Sequence, residues 1–313
     1  MSQRELDSAG ITGPHLRDSY EACRQLNAAH GKTYYLATLL LPPAKRPFVH
    51  ALYGFARYAD EIVDDLASTL TDDEKAAHLH EWGEQFLVDL DGGHSNDPIC
   101  RAVIDTVQRW NIPRAHFEAF LHSMAMDLTV TQYADYEALY EYVYGSAAVI
   151  GLQMVPILQP SSDAAYNYAM DLGVAFQLAN FIRDISEDLD RGRLYLPLAD
   201  LAQFDLTRAD LERRVVTAPI RELLKFEIAR VRRLEQASRP GIALLAPDSQ
   251  PCIDAARVLY CGIADAVEKI DYQVFTERAS VSVPRRAQVA LPAWFRAIRA
   301  RRAGRLPRTT MTR

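Results

Sequence analysis

Asp60 and Asp64 stand four residues apart, and so do Asp184 and Asp188. On a helix that spacing puts both side chains of a pair on one face. The first pair shares its face with Tyr53 and Arg57 in ALYGFARYADEIVDDLA (51–67), the second with Gln177 and Asn180 in FQLANFIRDISEDLDRGRLYLP (176–197). Apolar neighbours surround both: Ile62, Val63 and Leu66 in one stretch, Leu178, Phe181, Ile182 and Ile185 in the other. Both acidic faces therefore border packed protein and not open solvent.

Two carboxylates about 4 Å apart repel by about 4 kcal/mol at an effective dielectric near 20, before any cost of leaving water. A cation has to sit between them. Arg57 and Arg183 can supply that charge themselves, as a structural ion-pair network. The repetition of the pattern on two helices, each with an arginine on or beside its acidic face, favours a bound divalent ion. Mg²⁺, with Mn²⁺ as the alternative, takes oxygen ligands, keeps several waters and is held by one or two carboxylates plus substrate phosphate oxygens.

The substrate that follows from such a site carries a diphosphate. Lys32 in HGKTYYLATLLLP, Arg57 and Arg183 complement a leaving group whose negative charge grows as its bond to carbon breaks. A carbocation is left behind, and it survives only where water is excluded and aromatic faces stabilise it. Tyr34, Tyr35, Tyr53, Phe55, Tyr58, Tyr142, Tyr144, Phe176, Phe181 and Tyr260 fall on the segments expected around the site, although core packing accounts for most of them.

Other chemistries are absent from the sequence. There is no GxxxxGK[ST] loop, GxGxxG, GxSxG elbow or HExxH. HLHEWGE (78–84) resembles a metal motif but lies on a strongly polar helix and reads as a solvated face. A net charge of -6 argues against a duplex-binding surface. Cys23, Cys100, Cys252 and Cys261 form no CxxC pair, which fits a reduced, cytoplasmic setting without zinc or disulfides. MSQRELDSAG lacks the pattern of a secretory signal, and the longest apolar run, GSAAVIGLQMVPIL, falls short of the ~20 residues needed to span a bilayer.

The elements that must position these residues are helical. In a chain of 313 residues that is 49% apolar and 24% charged, apolar spacing near 3.6 predicts helices near 15–29, 44–67, 72–90, 97–110, 113–128, 135–156, 161–190, 218–245, 250–272 and 285–302. No strand series is visible. Thr71, Asp72 and Asp73 are placed to cap one helix, and Ser161, Ser162 and Asp163 another. LPPAKRP, DGGHSNDP, LQPSSD, RGRLYLPLAD and APDSQP punctuate them as turns within one domain, its core about 15–290. From Arg285 onward the chain has arginines and no acids, which reads as a frayed, solvated terminus or as a segment drawn to anionic lipid headgroups.

YGFARYADEIVDD and QLANFIRDISEDLDRGRLYLP resemble the two signature motifs of the squalene and phytoene synthase family, and HGKTYYLATLLLPPAKRPFVHALYGFARYADEIVDD is similar to its bacterial phytoene synthase branch, a likeness that runs from about 20 to about 290. The resemblance implies the all-α class I isoprenoid synthase bundle, with the acidic helices facing each other across a central pocket. It implies Mg²⁺ ligands at Asp60, Asp64, Asn180, Asp184 and Asp188, and prenyl diphosphate contacts at His30, Gly31, Lys32, Thr33, Tyr53, Arg57, Gln177, Arg183, Tyr260 and Arg278. Tyr142 falls in the reaction chamber, with Asp127 supporting it. Two departures stand out: Gly31 where many members have serine, and VTQY (130–133) in place of an arginine–tyrosine pair.

The reaction implied joins two geranylgeranyl diphosphates head to head, through a cyclopropylcarbinyl diphosphate, to phytoene. No NADPH is expected. A squalene or dehydrosqualene synthase using farnesyl diphosphate is the nearest alternative, and a catalytically silent scaffold member the alternative of another class. Ala37, Thr38, Gly145, Ala147, Ala148 and Gly151 either leave room for long tails or are close helix-packing positions. The apolar substrates imply peripheral membrane contact without a spanning helix, and a hand-off of product to a downstream desaturase.

Overall fold

A computed structural model of the chain describes residues 3–64 and 70–303, with the side chains of Lys32, Thr33 and Asp64 outside the described set. Among these residues the regular structure is helical: α1 Gln3–Ser8, α2 Pro14–His30, α3 Lys32–Thr38, α4 Arg46–Asp64, α5 Asp72–Gly92, α6 Pro98–Trp110, α7 Ala115–Met126 and α8 Tyr136–Val143. A π-helical turn, Tyr144–Ala148, leads into α9 Val149–Leu158, followed by α10 Ala164–Asp190, α11 Leu198–Ala202, α12 Arg208–Glu212, α13 Ala218–Ala243, α14 Gln250–Lys269 and α15 Val283–Ala303.

Local chemistry sets several boundaries. Thr71 and Glu74 form a reciprocal capping box at the start of α5, Glu74 accepting the Thr71 N–H at 2.7 Å, and Gly93 closes the helix at φ 74°. Asp97 caps α6 by accepting from the Cys100 N–H at 2.8 Å. At α10, Ser162 accepts from the Ala164 N–H at 3.3 Å, whereas Asp163 makes no side-chain cap.

Two hydrophobic cores adjoin. One gathers α2, α4, α5, α6, α7 and α9 around Phe55, Phe86 and Phe117. The other gathers α8, α10, α13 and α14 around Leu178, Ile182, Ile185 and Val231. Each acidic helix thus turns its apolar residues into a different core: Phe55, Ala59 and Val63 of α4 into the first, Leu178, Ile182 and Ile185 of α10 into the second.

The glycines near the π turn are packing positions. A Cβ at Gly145 would meet the Ala119 carbonyl oxygen at 2.1 Å, and one at Gly151 would meet the Ala169 oxygen at 2.4 Å. This settles the choice left open by the sequence for these two residues, which bring backbones together and do not widen a pocket. The run Tyr136–Leu158 is long and apolar enough to cross a membrane by length and composition, yet 61% of its most apolar window is buried in the protein. Residues 283–303 form a helix whose Ala293 and Ala297 are fully buried, so the frayed terminus expected from Arg285 is instead a packed helix as far as Ala303. No disulfide joins the four cysteines.

Candidate active site

On α4 the acidic face is a charge network. Arg57 donates to Asp60 Oδ2 at 2.6 Å and to Glu61 Oε1 at 3.1 Å, and His30 Nε2 at the end of α2 lies 3.5 Å from the same Glu61 oxygen. Tyr53 is half-buried one turn earlier, and burial raises its phenol above the usual range while the Arg57 charge opposes that shift. Asp64 ends α4, and its side chain lies outside the described set, as do those of Lys32 and Thr33 at the start of α3.

Gly31, between α2 and α3, is buried against Tyr53: a Cβ there would come 2.8 Å from the Tyr53 ring and 2.4 Å from Asn27 Oδ1. The departure from serine therefore has a local reason, because Tyr53 occupies the space that a side chain would need. Beneath it, Asn27 Nδ2 is 3.0 Å from Nδ1 of the buried His50. Burial drives His50 down to about 3, so it is neutral.

On α10, Gln177, Asn180, Asp184 and Asp188 succeed one another at helical spacing, and all four are half-buried. Arg183 grips Asp184 with Nε at 2.7 Å and with Nη2. Arg278 reaches the same Asp184 at 2.9 Å and Glu187 at 3.0 Å. Burial, reinforced by the Asp184 charge and opposed by Arg191 and Arg193, raises the Asp188 carboxyl to about 8. Asn180 Oδ1 is buried without a hydrogen-bond partner. Such an orphaned oxygen costs about 1–3 kcal/mol unless something outside the chain engages it.

A chain of rings joins the two faces. Tyr53 of α4 lies 6.0 Å from Tyr34 of α3, Tyr34 lies 4.9 Å from Tyr260 of α14, and Tyr260 stacks at 4.8 Å on Phe176 of α10. Tyr260 is buried and its phenol is raised well above the ordinary range, opposed by the nearby Arg183 charge.

A second aromatic group surrounds Asp127, just past the end of α7. The Tyr142 hydroxyl donates to Asp127 Oδ2 at 2.7 Å and the Tyr195 hydroxyl to Oδ1 at 2.8 Å. Tyr195 stacks on Phe181 at 4.3 Å and on Tyr142 at 5.4 Å, and Tyr133 lies 5.9 Å from Tyr142 with its own hydroxyl buried and unpartnered. The π turn begins directly after Val143, and the Tyr142 carbonyl accepts from Ser123 Oγ at 2.8 Å. An isolated bridge between Gln132 and Leu194 brings Tyr133 and Tyr195 together.

The family resemblance points to Tyr142 and Asp127, whereas Tyr195, Tyr133, Glu61 and Glu187 emerge from the structure. Tyr195 lies in RGRLYLP, a turn at the end of the second motif, and Tyr133 in VTQY, a departure from the family pattern, and neither segment carries a helical spacing that marks its tyrosine. Glu61 adjoins Asp60 and falls on Arg57 by the i,i+4 rule, a signal that was available.

For metal, the described donors are an open set. No three His, Cys, Asp or Glu side chains among the described residues converge into a cage. Asp60 and Asp184, with the orphaned Asn180 oxygen and the half-buried Asp188, are oxygen donors of the kind Mg²⁺ prefers when waters and a ligand's phosphate complete its shell. The residues present fit such an ion. HLHEWGE is a solvated face, with His78, His80 and Glu81 exposed. Two clefts of about 400 Å³, one between α13, α14 and residues 280–285 and the other between α5 and α7, are lined by none of these acidic residues.

Residues 27–286 match the squalene/phytoene synthase family model. The phytoene synthase of Arthrospira platensis is 38% identical over 84% of this chain and 88% of its own length. The 15-cis-phytoene synthase of Synechocystis sp. is 37% identical over 90% and 86%. Among solved structures, a dehydrosqualene synthase in complex with ligand superposes with a TM-score of 0.81 at 26% identity, covering 89% of this chain and 96% of its own. Squalene synthase HpnC from Alicyclobacillus acidocaldarius gives 0.77 at 27%, covering 85% and 98%.

Proposed function

This chain belongs to the squalene/phytoene synthase family, and we propose that its two acidic faces act together on prenyl diphosphates. The enzyme is a transferase of prenyl groups of the phytoene synthase type. In the reaction proposed, the C1–O bond of one geranylgeranyl diphosphate breaks, C1 adds to the double bond of a second, and a proton leaves to give a cyclopropylcarbinyl diphosphate. A second loss of diphosphate, rearrangement and proton loss yield phytoene. No reductant enters, so NADPH has no part.

Asp60, Asp64, Asn180, Asp184 and Asp188 would hold Mg²⁺, or Mn²⁺ in its place. Bound there, the ion supplies positive charge to the departing diphosphate. Arg57, Arg183 and Arg278 already stand at the carboxylates, so guanidinium donors exchange a carboxylate oxygen for a phosphate oxygen with little movement. His30, Gly31, Lys32 and Thr33 at the α2–α3 junction would contact the diphosphates, together with Tyr53, Gln177 and Tyr260. Tyr142, Tyr195, Tyr133 and Phe181 offer ring faces to a cation and exclude water from it.

The observation that carries this reading is the ring chain Tyr53–Tyr34–Tyr260–Phe176, which runs from one acid–arginine face to the other. A silent scaffold has no use for an arginine-loaded acidic face at each end of one aromatic path. The test is product analysis with C15 and C20 diphosphates, each with Mg²⁺ or with EDTA, and each with and without NADPH. Phytoene from the C20 substrate, abolished by EDTA and indifferent to NADPH, is expected. Squalene made only with NADPH, or a head-to-tail product, overturns the assignment. Phytoene is insoluble in water, so the next step acts on a hydrocarbon handed over directly or through lipid, as a desaturase would.

A further inference from the structure

Helix α15 is packed inside out. Its sequence, VPRRAQVALPAWFRAIRARRA, contains six arginines and no acid. On a helix, Leu291, Trp294, Phe295, Ile298 and Arg302 fall at i, i+3, i+4, i+7 and i+11, on one side. The residues buried against the protein are instead the small Ala293 and Ala297, each fully buried. Leu291 is 60% exposed, Trp294 48% and Phe295 60%, with the Trp294 and Phe295 rings edge to face at 5.0 Å. A helix stabilised only by folding onto its own core puts large apolar side chains inward. This one buries two alanines, with Val289 partly covered beside them, and leaves Leu291, Trp294 and Phe295 outside.

The orientation is fixed by hydrogen bonds. Arg296 pairs with Asp254 of α14 at 2.9 Å, and Arg301 donates to the Leu40 carbonyl and, at 2.9 Å, to that of Leu41, just past α3. Arg286 donates to the Val281 carbonyl at 2.8 Å. These contacts set which side of the helix faces outward. Arg299 and Arg302 are exposed. A wide aromatic and aliphatic face flanked by arginines, on a helix that carries no carboxylate of its own and whose neighbouring Asp254 is already paired with Arg296, has the composition of a helix lying in the headgroup layer of a bilayer.

We propose that the outward face of α15 is a docking surface for a bilayer containing anionic lipid, with Leu291, Trp294 and Phe295 entering the acyl boundary and Arg299 and Arg302 meeting headgroup phosphates. Its purpose, though not its existence, rests on the prenyl diphosphate reading: the helix is tied through Arg301 to the end of α3, the segment that carries Lys32, Thr33 and Tyr34, and so holds the substrate region beside the phase in which prenyl chains dissolve.

The test is flotation of the full chain with vesicles of phosphatidylcholine alone or mixed with phosphatidylglycerol, at low and high salt. Wild type floats with the mixed vesicles, and salt weakens that binding. Leu291→Ser/Trp294→Ser/Phe295→Ser loses flotation with both kinds while keeping its helical circular dichroism. Arg299→Gln/Arg302→Gln loses at least about tenfold, and only on the anionic vesicles. Both variants keep wild-type turnover of substrate dispersed in detergent, a readout that fails separately if the enzymatic assignment is wrong. Wild-type flotation by the triple variant overturns the proposal. So does a wild type that ignores anionic vesicles, including one whose mass in solution doubles through this face in a manner that the triple substitution abolishes.

Discussion

Tyr142 and Tyr195 come from segments more than fifty residues apart, yet their hydroxyls donate to the two oxygens of one carboxylate, Asp127, at 2.7 and 2.8 Å. The carboxylate fixes both rings, and the rings stack on each other at 5.4 Å. Asp127 is thus a positioning residue for aromatic faces.

Replacing Asp127 with alanine leaves two buried hydroxyls without their acceptor, at about 1–3 kcal/mol each. Asp127→Ala should therefore unfold at lower denaturant concentration, and turnover should fall by roughly tenfold to a hundredfold as the rings lose their aim. Tyr195→Phe, which keeps the stack and loses one hydrogen bond, should cost about 1 kcal/mol and much less activity. Urea titration and single-turnover kinetics on both variants check this ordering.

Asp60→Ala and Asp184→Ala should keep the helical fold and lose diphosphate release by at least about a hundredfold, since each removes oxygen from a charge-handling face. Asp184→Ala also removes the carboxylate that Arg183 and Arg278 both engage, leaving Arg278 only its Glu187 contact. Pyrophosphate release measured beside circular dichroism decides the matter, and undiminished release in either variant contradicts the site.

Gly31→Ala pushes a methyl group into the Tyr53 ring and Asn27. The expected cost is about 1–3 kcal/mol in stability. KM for the prenyl diphosphate should rise, because Tyr53 must move off its present position. Steady-state kinetics and thermal unfolding of the variant test both halves.

His50 gives a pH signature. Its folded value, about 3, lies below the usual 6.5 because burial disfavours the charged ring. Below pH 6.5 the unfolded chain takes up a proton that the folded chain refuses. Stability contributed by the neutral ring is therefore full above that pH and declines by roughly 1 kcal/mol per unit as pH falls toward about 3. His50→Gln should show a shallower loss between pH 7 and 5 in urea unfolding, measured against wild type.

The helices that carry the site were legible because their apolar residues repeat at the helical period over long stretches. The Asp60 face and the Asp184 face both emerged from spacing alone. Short elements escaped: α1, α3, α11 and α12 span only five to seven residues each, too few to establish a period. The π turn at Tyr144–Ala148 escaped as well, since it lies inside one continuous apolar pattern. Tyr133 and Tyr195 were hidden for another reason. They lie on irregular segments, and only the tertiary bridge between Gln132 and Leu194 makes them neighbours. Gly145 and Gly151 could be read two ways until the facing carbonyls of Ala119 and Ala169 were located.

That bridge also ties two chain segments together. Leu194 donates to the Thr131 carbonyl at 2.8 Å and Leu198 to the Tyr133 carbonyl at 2.9 Å, so the chain leaving α10 is laced to the chain leaving α7. Asp188 lies six residues before Leu194. The same short lacing that seats Tyr133 beside Tyr195 therefore also anchors the chain that follows the carboxylate-bearing end of α10.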